Sequence, residues 1–184
     1  SKIYEMDAYL LFVKEAVDNT ELETKKSSEG RPLSDAYDLA KIILAQAYFQ
    51  VGERQAAGLG IVFREKLRLT NTVSPSTIGR AYSRLDVQEI LAKVFLATTV
   101  PIKDKETSVS ADGTGLPLSI KQNYANDRDD EAKHAGYDKI AVMISNNFHI
   151  VTGFVYKEGA ANDCPLLPDL MKQTSQKLSK INDV

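Results

Sequence analysis

The hydrophobic periodicity of this chain changes once, at Pro101, and that change bounds what the chain can fold into. Before it, apolar residues recur at the three-to-four spacing of helix faces; after it they fall into short β-tolerant runs. Met6, Tyr9, Leu10, Val13 and Val17 form the first helical face. Residues 19–34, with Lys25, Lys26, Ser27, Ser28 and Gly30, offer no face to bury and read as a loop or linker. Ser34 is the expected N-cap of a second helix, along which Ala36, Leu39, Ala40, Ile43, Leu44, Ala47 and Val51 share a side until Gly52. A third helix is expected from Glu53, with Ala56, Leu59, Gly60, Phe63 and Leu67 on one face and Ala57 and Gly58 small enough for close helix contact. Ser74-Pro75-Ser76-Thr77 has the chemistry of a helix start, leading into Ile78, Arg80, Ala81, Tyr82 and Arg84. Asp86 with Glu89 resembles a capping box, opening a helix whose face is Val87, Ile90, Leu91, Val94 and Phe95.

Beyond Pro101, residues 107–111 read as a strand that ends at Asp112-Gly113. A polar stretch from Lys121 to Asp138 holds the acidic run Asp127, Asp129, Asp130 and Glu131 and reads as an exposed loop. Residues 139–146 and 148–157 predict a hairpin around Asn146-Asn147, a pair able to take positive φ in a tight turn. Asp163 or Cys164 is expected to cap a final helix with Pro165 in its first turn and Leu167, Leu170, Met171 and Leu178 buried. The fold class is therefore α+β: a helical domain over 1–103, then strand, hairpin and helix over 104–184.

The composition fits that reading. At 184 residues, 43% hydrophobic and 26% charged, the chain is neither mostly disordered nor collagenous. It has no apolar run of the roughly 18 residues that a membrane span needs, and no secretory layout at its start, so a cytoplasmic protein without a membrane partner is expected. A single cysteine, Cys164, excludes an internal disulfide and a cysteine-based zinc site. A chain that starts at Ser1 and stops at Val184 is expected to be an excised piece. The net charge of −2 argues against binding nucleic acid by basicity alone. Residues 31–93 nevertheless hold nine bases against six acids, so a mildly basic segment lies within an acidic chain.

Few residues carry chemistry by pattern. Asp112, beside Gly113-Thr114-Gly115, would project a carboxylate at a sheet edge, where Mg²⁺ can be held by one or two carboxylates and substrate phosphate. The same Asp-Gly also makes an ordinary turn. Asp163 is either a second carboxylate or a helix cap. His134 and His149 have no partner at metal-ligand spacing, and the Gly-x-Gly lacks the rest of a nucleotide-binding loop. The helix at 74–84 can enter a DNA groove, with Arg80 and Arg84 on phosphates, Ser76 and Thr77 at base edges and Tyr82 nearby. Equally, it can be a bundle helix with solvated arginines.

Taken together, GRPLSDAYDLAKIILAQAYFQVGERQAAG at 30–58, SPSTIGRAY at 74–82, SVSADGTGLP at 108–117 and GAANDCPLLPDL at 159–170 resemble the DDE-type transposases of bacterial and archaeal insertion sequences. The resemblance implies a helix-turn-helix-like DNA-binding domain followed by the first half of an RNase H-like catalytic domain. It places the family's first catalytic and metal-binding aspartate on Asp112, at the end of the first strand. Asp163 falls at a helix start; the second and third catalytic acids are expected beyond Val184. The implied cofactor is Mg²⁺ or Mn²⁺, held only by the complete carboxylate set. The implied partners are double-stranded DNA at element terminal repeats and, on DNA, a second copy of the chain. The rival from another class is a non-enzymatic helix-turn-helix regulator with an α/β assembly or ligand-sensing module. An RNase H-like nuclease acting on another nucleic acid is a third.

Overall fold

The computed structural model describes residues 2–23, 34–117, 137–158 and 164–179. It is mixed α and β, and the chain divides into two compact units, Ser1–Ala97 and Thr98–Val184. Among the described residues no helix is long and apolar enough to cross a membrane.

The first unit is built around one helix. Helices α1 (Lys2–Asp18), α2 (Ala36–Phe49), α3 (Glu53–Val62), α4 (Arg64–Leu67), α5 (Pro75–Ala81) and α6 (Leu85–Thr99) follow in order. The expected single stripe on α2 understates its burial. Ile42 and Ala45 are buried along with Ala36, Leu39, Ala40 and Ile43, because α1, α3 and α5 all pack on it. Its N-cap is Asp35 rather than Ser34: the Asp35 carboxylate accepts from Tyr37 N–H at 2.9 Å and Asp38 N–H at 3.2 Å, where the helix dipole favours negative charge. The helix ends at Gln50, in the left-handed conformation, before the expected stop at Gly52. Lys41, with only 3% of its side chain exposed, reaches the exposed Asp18 on α1 at 2.6 Å, an ion pair joining two helices.

The expected third helix is two helices, broken at Phe63. Its close approach to α2 is made by Gly60 rather than by Gly58, while Ala57 is partly buried against the core. A Cβ at Gly60 would stand 3.2 Å from Ile42 Cδ1, whereas one at Gly58 meets nothing within 4 Å. The start of α6 also differs from expectation. Asp86 lies inside the first turn of the helix, which begins at Leu85, and binds Arg84, while Glu89 pairs with Lys93 one turn on at 2.9 Å. Val87, Ile90 and Val94 are buried as the spacing predicts, and Pro101 falls in the 3-10 turn Val100–Ile102 that follows α6.

The second unit holds a three-stranded antiparallel sheet in the order β1 (Val109–Pro117), β2 (Tyr137–Ser145), β3 (Val151–Lys157), then a 3-10 turn at Cys164–Leu166 and helix α7 (Leu167–Ser175). The first strand does not end at Asp112: it pairs with β2 through Pro117, because β2 offers a partner to every residue of it. The β2–β3 connection occupies residues 146–150, and the positive φ expected at Asn146-Asn147 belongs to His149, at 55°. Helix α7 lies close on the sheet at Gly153, where a Cβ would meet Leu170 O at 3.1 Å and Thr174 Oγ1 at 3.2 Å. Leu166, Leu170 and Leu178 pack there with Val109, Ala141 and Met143, while Leu167, expected in the core, is exposed. Gln173 on α7 bonds both backbone groups of Phe154, occupying part of the β3 edge.

Candidate catalytic carboxylate and nucleic-acid interface

Side chains on adjacent strands share a face when their residues stand opposite, so the ladder places Asp112. Asp112 pairs with Val142, and Val142 with Phe154. The alternate residues Ala141, Met143 and Ser145 are buried on the α7 side. Asp112 therefore stands on the opposite face, beside half-buried Val142 and half-exposed Phe154. Its side chain is exposed, and one oxygen, Oδ1, accepts from Gly113 N–H at 2.7 Å. The turn reading of Asp112-Gly113 is excluded, since both residues lie within a paired strand.

The most heavily bonded carboxylate near β1 is one the sequence did not single out. Glu106 is fully buried just ahead of the strand. Its Oε1 accepts from Thr107 N–H and Ser108 N–H, each at 3.0 Å, and from Asn147 Nδ2 at 2.7 Å; its Oε2 accepts from Asn147 N–H at 3.0 Å. Burial alone would raise its pKa, but these hydrogen bonds outweigh it and hold the carboxyl below the ordinary glutamate value. Asn146 adds three links to the same strand. Its backbone N–H donates to Ser108 O at 3.1 Å, its Nδ2 donates to Ser108 Oγ at 2.6 Å, and its Oδ1 accepts from Ser110 Oγ at 2.7 Å. A lone acid before a short strand reads as solvated; its distant partner, Asn147, stands forty-one residues on, and no local pattern announces it.

In the first unit, Ser74 caps α5 as its sequence predicts, accepting from Thr77 N–H at 3.3 Å. Its hydroxyl also meets Ser76 Oγ at 3.1 Å and Thr77 Oγ1 at 2.9 Å, so the two candidate base-reading hydroxyls belong to one exposed cluster. Arg80 is exposed on α5, with Nε donating to Ser76 O at 3.1 Å. Arg84 is placed otherwise. It lies beyond the end of the seven-residue helix, and its guanidinium grips Asp86 through two bonds of 3.0 and 2.6 Å and Ser34 O at 2.7 Å. The Arg84 hydrogen bond holds the Asp86 carboxyl below its usual range. Ser76, Thr77 and Arg80 are thus grouped, and Arg84 is turned into the fold.

Asp163, His134 and the acidic run at Asp127, Asp129, Asp130 and Glu131 lie outside the described residues. His149 is exposed in the hairpin turn. Among the described residues no three His, Cys, Asp or Glu side chains come together as a metal site. A cleft of about 640 Å³ between α1 and α6, lined in part by Phe12, Glu15, Leu22, Glu23 and Lys93, contains none of the candidate residues. No protein-family model, curated protein or solved structure matches the chain.

Proposed function

We propose that this chain is part of a DDE-type transposase. In this reading α5 meets double-stranded DNA of the element ends through Ser76, Thr77 and Arg80, and Asp112 supplies the first metal-binding carboxylate of an RNase H-like domain. The observation that carries it is the setting of Asp112. Aspartate is disfavoured inside strands, yet this one sits in mid-strand, exposed, and among the described residues its carboxylate bonds only its neighbour's amide. A residue that works against local propensity without supporting the fold marks a functional position. The order strand, hairpin, helix gives further support, being the order the resemblance implies.

A pair of divalent ions about 3.5–4 Å apart needs several carboxylates. Asp112 alone does not fit such a pair, and among the described residues no group of three or more His, Cys, Asp or Glu side chains forms to hold one. Metal chemistry therefore belongs to the complete acid set, and two such sets meeting on two DNA ends make a dimer on DNA part of the proposal. The test is strand transfer with Mg²⁺ or Mn²⁺ by the polypeptide that carries the downstream acids. Asp112→Asn should abolish transfer and leave duplex binding in a mobility-shift assay unchanged; equal loss of both would assign Asp112 a structural role. DNA binding without transfer by the parent polypeptide would favour the non-enzymatic regulator.

A further inference from the structure

The strand that carries Asp112 says little about its own register. Register is specified by a strand's buried side chains or by a short hairpin turn. Among residues 109–115 of β1, whose burial is described, only Val109 is a buried hydrophobic; Ser110, Ala111, Gly113, Thr114 and Gly115 are small or polar. Nor does a tight turn join it to its neighbour, since residues 118–136 separate β1 from β2 in sequence. A slip of one residue would carry Asp112 to the α7 side of the sheet, and a slip of two would move it about 6–7 Å along the strand.

We infer that Glu106 is a positioning residue for Asp112: it ties the amides that lead into β1 to the Asn146–Asn147 turn and so sets which face, and which point along the sheet, the aspartate occupies. The geometry has two halves. On one side Glu106 holds Thr107 and Ser108, the residues that lead into β1. On the other it holds the backbone and side chain of Asn147, just past the end of β2. Asn146 closes the frame on Ser108 and Ser110. The fixed point lies three residues from Val109↔Ser145, the first pair of the ladder, and every later pair, Asp112↔Val142 included, follows from it. The tie concerns where Asp112 stands; only the consequence for catalysis rests on the transposase reading.

Glu106→Gln keeps the side chain's shape but replaces one acceptor oxygen with an amide that faces donors. Nuclear magnetic resonance of the chain reads the register directly, through cross-strand contacts of residue 112 with 142 and of 114 with 140, and amide exchange of β1 compared with β3. In the parent both contacts should be present. In Glu106→Gln they should weaken or shift to a neighbouring residue, with β1 amides exchanging about tenfold faster while β3 amides keep their rates. Asn146→Ala, which removes only the side-chain links to Ser108 and Ser110, should act in the same direction more weakly, and it decides the matter if Glu106→Gln does not fold. Intact 112–142 and 114–140 contacts in the folded variant, with β1 exchange rising no more than that of β3, would overturn the inference. Glu106 would then be a stability element only. The Asp112→Asn transfer assay bears on the transposase reading alone, so the two can fail separately.

Discussion

Asp38 and Thr70 are joined twice through a single oxygen: Asp38 Oδ2 accepts both the Thr70 amide at 2.9 Å and its hydroxyl at 2.5 Å. The Asn71 amide reaches the same atom at 3.1 Å. Asp38 is buried on α2, and residues 70–73 are the approach to Ser74 and α5, so this carboxylate anchors the segment that delivers the candidate DNA helix. Asp38→Ala leaves two backbone amides without their acceptor and should cost about 3 kcal/mol in urea unfolding of the first unit. A loss below about 0.5 kcal/mol would show that the loop finds other partners.

Arg80 and Arg84 should separate in their effects. Arg84→Ala strands a half-buried Asp86 and frees Ser34 O, and should lower stability by about 1–2 kcal/mol. Arg80→Ala should leave stability within about 0.5 kcal/mol and weaken binding of a random-sequence DNA duplex several-fold at low salt. Unchanged duplex affinity in Arg80→Ala, measured by fluorescence anisotropy, would remove α5 from the interface.

These two arginines also show how much the sequence reveals. Helix faces were legible wherever one side alone is buried, as in α6, because periodicity reports a single boundary between core and solvent. On α2 it found Ala36, Leu39, Ala40 and Ile43 but missed Ile42 and Ala45, because that helix is covered from several directions and even its Asp38, Lys41 and Gln46 are buried. The candidate hydroxyls Ser76 and Thr77 stand beside their predicted cap because capping is local. Arg84 was misplaced because α5 stops at Ala81 and the arginine's backbone partner is Ser34, fifty residues away. Asp112-Gly113 has turn composition, and only the distant strand β2 makes it β-structure. Glu106 was invisible for the same reason.

Asp112→Asn should be nearly neutral for folding. The asparagine oxygen can still accept from Gly113 N–H, and the side chain is exposed, so the melting midpoint should correspond to a change within about 0.5 kcal/mol. A larger loss in calorimetry would mean that the carboxylate supports the sheet, and the functional reading of this residue would lose its footing.

Gly153→Ala tests the seating of α7. The added methyl would press on the Leu170 carbonyl oxygen, a backbone atom, as well as on Thr174 Oγ1, which is already bonded to Thr152 Oγ1 at 3.0 Å. Helix or strand must shift, costing about 1–3 kcal/mol. Thermal unfolding should report that loss. An unchanged midpoint would mean that α7 sits less tightly on β3 than the 3.1 Å approach requires.

Acid should unfasten both units, and the sign follows from two carboxylates. Glu106 and Asp86 each have a folded-state pKa below the ordinary value, so each contributes stability that is present above the unfolded-state pKa and lost as pH falls through the folded one. The unfolding free energy should therefore stay level down to about pH 5 and fall progressively below about pH 4.5, where unfolded glutamate and then aspartate take up protons first. Protonating Glu106 also puts a hydrogen on an oxygen whose partners among the described residues are donors, so β1 and the hairpin turn should loosen along with the global loss. Glu106→Gln, wherever it folds, should start from a lower stability at neutral pH and show a shallower acid limb in the second unit, because the titrating group is gone. A parent curve that is flat from about pH 5 to pH 3 would contradict the assignment of these carboxylates as ionised, hydrogen-bonded anchors.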